Sequence, residues 1–441
     1  RSHEASGSCH FHDHISRLGF PLNPSATMLA KRGLASSGRR LFSSSLGDRD
    51  IVVVSIARTP IGKIGGALSS LSAPKLGAHA IASAVDRAGI SNKAVEEVFF
   101  GNVLSANIGQ APARQAVVHA GLELSTSCTT VNKVCASGMK ALMLSSLSIM
   151  SGYRSVCVAG GMESMSNVPY YLPGARTGYR LGNSTVVDGL VTDGLWDVYN
   201  DQHMGNCGDL CASKYSITRE DQDAFSIESY SRAAKAWDSG VMANEVVPVS
   251  IAGKRGAAPT IVECDEEYTS VNLAKVKTLR PAFSKDGTVT AANASKLSDG
   301  AAAMVVVSGK FARENKLTPL FRIRGFGDAE RAPAEFTVAP SDAVPLAYAH
   351  AGVSASDVQF HEINEAFSVV SLVNASILGL DLATVNVHGG AVALGHPLGC
   401  SGARIIGSLY NVLKAKDATI GCASICNGGG GASAIVIERL N

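Results

Sequence analysis

The sequence predicts an α/β protein built from two copies of one strand-and-helix unit. Of its 441 residues, 46% are hydrophobic, 17% are charged and 45 are glycine, which indicates a large, densely packed core. Short apolar segments alternate with longer segments of helical periodicity. The pattern of the first half recurs in the second half. Strands that alternate with helices favour sheets covered on both faces.

Residues 1–47 differ in composition from the rest and are predicted to be a targeting or disordered segment. They hold six basic and two acidic residues. Between Met28 and Gly47 there are four basic residues, five serines and no acidic residue. Such a segment is typical of a mitochondrial presequence. We therefore expect a mitochondrial matrix protein, with the cytosol as the alternative, and exclude this segment from the fold.

The remaining charge and hydropathy pattern excludes several partners. From Asp48 onward there are 33 basic and 35 acidic residues, and no basic cluster is interleaved with aromatic residues, so no nucleic-acid partner is expected. The longest uncharged stretch, residues 382–403, contains five glycines and Pro397, which excludes a membrane-spanning helix. The ten cysteines show no dense regular spacing and indicate a reducing compartment.

The first copy of the unit has alternating strands and helices. Five apolar residues of its second helix recur at helical spacing with little charge around them, so this helix is predicted to be central and its methionines are assigned to packing. The elements are strands at 51–54, 98–100 and 156–158 and helices at 75–88 and 138–150.

The second copy follows the first at a nearly constant distance along the chain. Residues 88–91 recur as 351–354, an offset of 263, and residues 137–142 recur as 401–406, an offset of 264. This regularity predicts two related halves, residues 48–316 and 317–441.

A segment of different character lies inside the first half. Residues 166–295, approximately, carry more charge, a glycine-rich stretch and a polar helix at 218–239. We interpret it as an inserted loop domain. A segment grafted onto a rigid core is where ligand recognition often resides.

Cys135 is a candidate nucleophile. It precedes the central helix of the first copy, where free backbone N–H groups and the helix dipole favour a thiolate and a lowered thiol pKa. A lone cysteine before a helix can also be a small core residue. His396 occupies the corresponding loop of the second copy, and pseudo-twofold packing would bring the two helix starts together. A histidine there could accept the thiol proton.

Two further candidates follow strands of the second copy. Asn364 ends the strand at 360–363, and Cys426 follows the strand around Ile425 and precedes four glycines. Strand ends at loops present reactive groups, and glycines allow backbone N–H groups to approach a substrate oxygen.

In combination these motifs resemble the thiolase family, over about residues 51–440. The motifs are Val-Cys-Ala-Ser-Gly-Met-Lys at 134–140, Gly-Gly-Met-Glu-Ser-Met-Ser at 160–166, His-Met-Gly at 203–205, Asn-Glu-Ala-Phe at 364–367, Gly-Gly-Ala-Val-Ala-Leu-Gly-His-Pro at 389–397 and Cys-Asn-Gly-Gly-Gly at 426–430. Within the family, the segment at 424–433 most resembles the subgroup of mitochondrial thiolases that act on acetoacetyl-CoA. The resemblance implies a thiolase fold: two βαβαβαββ halves in an α-β-α-β-α core.

The resemblance also implies the roles of the candidate residues. Cys135 would carry the acyl group as a thioester and His396 would activate it, while Cys426 would move the proton at the α-carbon of acetyl-CoA. One oxyanion hole would consist of the N–H groups of Cys135 and Gly428. The other would consist of His396 and a water held by Asn364. The implied reaction is the reversible Claisen condensation of two acetyl-CoA.

Coenzyme A and potassium sites are implied in the same way, as is a homotetramer. Acyl-CoA would be the partner, and the residues expected around coenzyme A are His203, Met204, Ser295 and Phe367, with Tyr199, Ser270, Asn272 and Lys275 nearer the nucleotide. Potassium would be held by Tyr199 and by the carbonyls of Ala291, Ala292, Ala294 and Val392.

Three alternative activities use related residue patterns. A broader-range 3-ketoacyl-CoA thiolase would share all four active-site motifs, which are those that contain Cys135, Asn364, His396 and Cys426. A lipid-binding relative without catalysis would typically have lost an active-site residue. A ketoacyl synthase would lack a second reactive cysteine, so Cys426 argues against it.

Overall fold

The computed structural model describes residues 46–253 and 256–441. The presequence prediction falls almost entirely on residues 1–45, which lie outside the described residues. From Leu46 onward the chain is one compact unit. In the described part, no helix is both long and apolar enough to cross a membrane.

The first half begins with the predicted strands and helices, all of which are confirmed. Three further elements, a two-residue strand, a helix and a longer strand, lie between them. The strands are β1 (Ile51–Arg58), β2 (Gly62–Lys63), β3 (Glu97–Gly101), β4 (Ser127–Val131) and β5 (Val156–Ser164), and the helices are α1 (Ala73–Ala88), α2 (Pro112–His119) and α3 (Ser137–Met150).

The segment that follows contains short hairpins and two long helices. The predicted polar helix forms, and Thr218 begins it with a capping box that it shares with Asp221. The elements are β6 (Tyr170–Tyr171), β7 (Val187–Asp188), β8 (Trp196–Asp197), β9 (Gln202–His203), α4 (Met204–Lys214), α5 (Arg219–Asp238), β10 (Val249–Ile251) and β11 (Thr260–Val262). The chain then returns to the main sheet through β12 (Ser298–Ser308) and α6 (Gly309–Glu314).

The second half repeats the first with shorter connections. Its elements are β13 (Phe321–Glu330), α7 (Pro340–Ala351), β14 (Phe360–Ile363), α8 (Ser368–Leu378), α9 (Ala391–Leu394), α10 (Leu398–Ala415), β15 (Ile420–Asn427) and β16 (Gly431–Arg439).

The sheet topology confirms the duplication. The strand order is β14-β15-β16-β13-β1-β12-β5-β3-β4, with β2 beside β12. Read outward from the antiparallel β1–β13 pair, the first half runs β1, β12, β5, β3 and the second half runs β13, β16, β15, β14. Each half therefore presents its first strand, its last strand and then two inner strands in reverse chain order. The parallel β3–β5 pair of the first half corresponds to the parallel β14–β15 pair of the second. A bridge from His361 to Val385 stands where β4 lies in the first half.

The layers follow from which face each helix covers. Helices α3 and α10 share one core cluster with strands of both halves. Helices α1 and α2 cover the outer face of the first half, and α7 covers that of the second. The result is the expected α-β-α-β-α arrangement, with the two central helices in the middle layer.

The starts of α3 and α10 meet at glycines. A Cβ at Gly138 would lie 2.8 Å from the Gly399 carbonyl oxygen, and a Cβ at Gly402 would lie 2.4 Å from the Met139 nitrogen. Only residues without a side chain permit such backbone contact. The expectation that pseudo-twofold packing joins the two helix starts is therefore confirmed.

We predict that Gly138→Ala destabilises the protein by about 1–3 kcal/mol, because the added methyl group meets backbone atoms that cannot move away. Gly407→Ala in α10 is the control, since its Cβ would meet the Met304 side chain at an ordinary 3.7 Å. Thermal unfolding of both variants measures the difference. Equal midpoints would contradict the importance of this crossing.

Candidate active site

Cys135 lies in a strained loop just before α3. Val134 has a φ of 46°, a left-handed conformation that is rare for a β-branched residue. The loop is held by Ser137, whose Oγ accepts from the Lys133 N–H at 2.9 Å and donates to the Val134 carbonyl at 2.5 Å. The Asn132 side chain accepts from the Val134 N–H at 2.9 Å. These bonds define the position of the Cys135 thiol.

The resting state of Cys135 is a neutral thiol. Burial raises its pKa to about 12, although the N–H groups of Gly428 and of Cys135 itself hydrogen-bond to the sulfur and act in the opposite direction. The prediction of a lowered pKa from the helix start is therefore wrong for the free protein, because desolvation outweighs those two bonds. The same contacts place both N–H groups of the expected oxyanion hole at the sulfur.

His396 is buried in the loop between α9 and α10, and its tautomer follows from its neighbours. Its Nδ1 lies 2.6 Å from the Oγ of Ser401, and this hydroxyl donates to the Pro397 carbonyl at 2.9 Å. Because the hydroxyl proton is already used, we assign the ring proton to Nδ1, which donates to Ser401. The lone pair is then on Nε2, so His396 can act as a base through that atom.

Burial lowers the pKa of His396 to about 3, and the charge of Arg404 acts in the same direction. The imidazole is thus neutral at physiological pH, like the Cys135 thiol. An ion pair between them forms only as part of a reaction that moves the proton.

Cys426 lies fully buried at the end of β15. Burial raises the pKa of its thiol well above the usual range, and the neighbouring Cys135 raises it further. A Cβ on Gly428 would lie 3.5 Å from the Val134 side chain, so the turn after Cys426 packs against the Cys135 loop. The structure therefore brings the two predicted cysteines together.

Asn364 follows β14 and faces the same histidine. Its Nδ2 lies 3.5 Å from the Nε2 of His396, and its N–H donates to the Ser424 carbonyl at 2.9 Å. Its Oδ1 is buried and has no hydrogen-bond partner among residues 46–253 and 256–441. A buried acceptor in that state suits a bound water, as the resemblance implied.

A cavity of about 400 Å³ leads to His396. Four residues expected around coenzyme A line it, namely His203, Met204, Ser295 and Phe367. Phe283 stacks on the His203 ring with centroids 4.6 Å apart. Apolar walls with a few polar groups are typical of a small-molecule site.

The structure does not bring the four predicted nucleotide contacts to this cavity. Tyr199 is 72% exposed, and Ser270, Asn272 and Lys275 are also exposed. None of the four lines the cavity wall. Asn272 caps a short helix by accepting from the Ala274 N–H at 3.1 Å.

The predicted potassium site does not fit the residues present. The Ala291 and Ala294 carbonyls accept hydrogen bonds from the Nζ of Lys296, so an ammonium already takes the place of a cation. A metal ion beside it would meet like charge. With the Lys296 ammonium in this place, the predicted set does not fit a metal ion at the Ala291 and Ala294 carbonyls.

The remaining members of the predicted potassium set lie in different surroundings. Tyr199 lies exposed in the turn between β8 and β9, where its N–H donates to the Asp197 carboxylate. Val392 is buried beside a different tyrosine, Tyr230. The N–H of Ala292 donates to the Thr290 hydroxyl, a contact within the turn itself.

Two buried carboxylates that the sequence did not single out support the loops. Glu163 accepts from the Asn102 side chain at 2.8 Å and from the N–H of Gly399 at 2.9 Å, which ties the first half to the start of α10. Glu365 accepts from Ser229 at 2.8 Å and from the Val392 N–H at 3.1 Å.

Glu163 lies in the motif at 160–166 and Glu365 in the motif at 364–367, so their position within a motif was the only feature of the sequence that could have identified them. Their roles could not be read there because Gly399 lies 236 residues from Glu163 and Ser229 lies 136 residues from Glu365. Lys296 and Ser401 were missed for the same reason, since only folding reveals what they contact.

This chain is similar to known proteins over most of its length. Two family models match, "Thiolase, N-terminal domain" over residues 51–310 and "Thiolase, C-terminal domain" over residues 317–439. Acetyl-CoA acetyltransferase 1 of Arabidopsis thaliana is 57% identical over 398 residues, covering 90% of this chain and 96% of that protein. A mitochondrial acetyl-CoA acetyltransferase of Xenopus laevis is 54% identical over 91% of this chain and 94% of its own.

Other relatives extend these findings. A cytosolic acetyl-CoA acetyltransferase of Gibberella zeae is 54% identical over 88% of this chain and 98% of its own. The crystal structure of a thiolase from Ascaris suum in complex with coenzyme A superposes with a TM-score of 0.83 at 44% identity, covering 88% of this chain and all of that one. From its family models, its relatives and its fold, this chain belongs to the thiolase family.

Proposed function

We propose that this chain is an acetyl-CoA C-acetyltransferase, which condenses two acetyl-CoA to acetoacetyl-CoA and coenzyme A and catalyses the reverse thiolysis. The observation that carries the proposal is the closeness of Cys135 to Cys426 in a buried site, together with His396 on the wall of a cavity and beside Asn364. The curated relatives with that activity, at 51–57% identity, support the same function.

The first step transfers an acetyl group to Cys135. The thiol proton passes to the Nε2 of His396 while the sulfur attacks the thioester carbon. The oxyanion is stabilised by the N–H groups of Cys135 and Gly428. The carbon–sulfur bond to coenzyme A then breaks, and the leaving sulfur takes the proton of Cys426. This leaves an acetyl-cysteine, an imidazolium and a Cys426 thiolate.

The second step forms the carbon–carbon bond. The Cys426 thiolate removes a proton from the α-carbon of a second acetyl-CoA, whose oxygen is held by the Nε2–H of His396 and by a water on Asn364. The carbanion attacks the acetyl carbon on Cys135. The expelled thiolate recovers its proton from His396, so all three groups return to neutrality.

The raised cysteine pKa values and the lowered histidine pKa agree with that cycle. The full cycle begins and ends with neutral groups, and the imidazolium and the Cys426 thiolate exist only between the two steps. A buried site disfavours separated charge at rest. Thioester exchange also conserves bond energy, which suits a cysteine nucleophile.

We propose that the pantetheine arm of coenzyme A lies in the cavity lined by His203, Met204, Ser295 and Phe367. The Ascaris suum thiolase, which binds coenzyme A, supports this proposal. Tyr199, Ser270, Asn272 and Lys275 would meet the nucleotide only at the exposed surface.

We propose a mitochondrial location and a homotetrameric assembly. The basic, acid-free segment at 28–47 supports the location, and a reporter fused to residues 1–47 that stays in the cytosol would refute it.

Strand β4 at one sheet edge and the exposed Tyr170 and Leu181 support self-association. Light scattering that gives a monomer mass would refute the tetramer.

The substrate prediction is tested by thiolysis of three substrates in parallel. We expect fast cleavage of acetoacetyl-CoA and at least about tenfold lower kcat/KM for a long-chain 3-ketoacyl-CoA. A 2-methyl analogue in the same series measures tolerance of a branch. Equal kcat/KM for short and long chains would favour the broader-range thiolase, and no cleavage at all would favour a lipid-binding protein.

The two cysteines are separated by substitution. Cys426→Ala should still take an acetyl group from acetyl-CoA on Cys135, as seen by mass spectrometry, but should lose condensation by about a hundredfold or more. Cys135→Ala should lose both activities. Cys422→Ala is the matched control, since Cys422 is buried on the same strand. Near-normal condensation by Cys426→Ala would remove Cys426 from the mechanism.

Alkylation of Cys135 tests its raised pKa. Because the thiolate is the reactive form and the pKa is about 12, the rate of inactivation by iodoacetamide should rise about tenfold per pH unit through neutral and alkaline pH without a plateau. Acetyl-CoA should protect. The measurement is made in a Cys264→Ser background, since Cys264 is exposed. A plateau near neutral pH would show a low pKa instead.

A further inference from the structure

Lys296 directs its ammonium into a turn of the backbone. Its Nζ donates to the Ala294 carbonyl at 2.9 Å and to the Ala291 carbonyl. The turn is closed by the Ala294 N–H, which donates to the Thr290 carbonyl at 3.0 Å. The Thr290 N–H in turn donates to the Asn293 side chain at 2.7 Å. Two carbonyls of one closed turn therefore converge on a single cation.

The other neighbours of this ammonium also favour a cation. The Tyr230 ring centroid lies 5.8 Å from Nζ, within the range of a cation–π contact. Tyr230 is only 2% exposed, and its hydroxyl has no hydrogen-bond partner in the described part of the chain. The negative charge of Glu267 acts on Lys296 as well. Carbonyls, a ring face and a carboxylate together make a cation site.

Lys296 is charged at neutral pH. Burial lowers its pKa to about 8, and Glu267 opposes that shift. At neutral pH the ammonium form therefore predominates. The charge persists under the conditions in which the catalytic groups are neutral.

The turn is joined to the catalytic loops through the backbone. The Lys296 carbonyl accepts from the His396 N–H at 3.0 Å. Ser295, which lines the cavity, donates its N–H to the Ala366 carbonyl at 3.0 Å, and Ala294 bridges to Phe367. Movement of this turn would shift both the cavity wall and His396.

We propose that the Lys296 ammonium is a tethered cation that takes the place of a bound monovalent metal ion in this chain. It holds the turn at 290–296 against the His396 loop. An ammonium group and a potassium ion are of similar size and charge, and both suit carbonyl oxygens. Tethering removes the dependence on ion concentration. Lys296 is thus a positioning residue, since it acts through the turn.

A phosphate-binding role fits the geometry less well. Lys296 also lines the cavity, so its ammonium could in principle meet an anionic ligand. However, two of its three donors are directed to carbonyls of its own turn. A lysine that binds an anion keeps its donors free for that ligand.

The wild-type protein tests the proposal without any substitution. Its thermal unfolding midpoint and its dissociation constant for coenzyme A are measured at pH 7 in potassium, sodium and tetramethylammonium chloride of equal ionic strength. We expect the same values in all three salts. A higher midpoint or tighter binding in potassium alone would overturn the proposal, because it would show a metal ion bound in addition to Lys296.

Lys296→Ala provides the complementary test, since it removes the tethered charge and leaves the carbonyls. In sodium or tetramethylammonium we expect a midpoint lower by about 3 °C or more and about threefold to tenfold weaker coenzyme A binding. In potassium we expect the variant to recover much of the unfolding midpoint and much of the coenzyme A affinity that it lacks in the other two salts. Lys93→Met, which removes an exposed lysine, is the control and should respond equally to all salts.

Two further arms make the result decisive. If Lys296→Ala does not fold in sodium, Lys296→Ser prepared in potassium and then exchanged into sodium gives the same comparison. Adding Tyr230→Phe to Lys296→Ala should reduce the potassium response, since it removes the unpaired hydroxyl of the ring whose centroid lies 5.8 Å from the Lys296 ammonium. A Lys296→Ala protein that loses coenzyme A affinity equally in every salt would show an ordinary ligand contact and refute the tethered-cation role.

Discussion

The backbone contact between the starts of α3 and α10 is the constraint on which the site depends. Gly138 and Gly402 allow each helix to touch the other's backbone, so the loops that precede them lie side by side. Those loops carry Cys135 and His396. A side chain at the crossing would separate the helices by the width of a methyl group. Proton transfer requires the donor and acceptor heavy atoms to lie within about 3 Å of each other, so such a displacement would be enough to prevent it.

Burial governs the chemistry of the groups that this crossing assembles. The same desolvation raises the pKa values of Cys135 and Cys426 and lowers that of His396, so the resting site holds three neutral groups. Oriented N–H groups and the Nδ1–Ser401 bond are already in place for the charges that appear during reaction. The site is organised for its intermediates and leaves the thiols protonated at rest.

Around the neutral centre, charge is used as structural support. The Glu163 carboxylate links the first half of the chain to the N-terminus of α10, and Glu365 links the Asn364 loop to α5 and to α9 at Val392. Lys296 supplies the opposite charge to carbonyls of the turn beside them. Each buried charge has hydrogen-bond partners from a segment distant in sequence or from a closed turn, which makes desolvation tolerable.

The duplication and the main strands and helices could be predicted from the sequence, and so could the candidate reactive residues. Periodicity and motif spacing are local properties, and Cys135, His396, Asn364 and Cys426 stand at the ends of elements that can be read from them. The folded structure sets the thiol pKa of Cys135, because the effects of a helix start and of desolvation oppose each other and burial is not a local property. It also decided that Tyr199 lies at the surface and that Lys296 reaches the Ala291 and Ala294 carbonyls, since such contacts depend on how the turn folds in space.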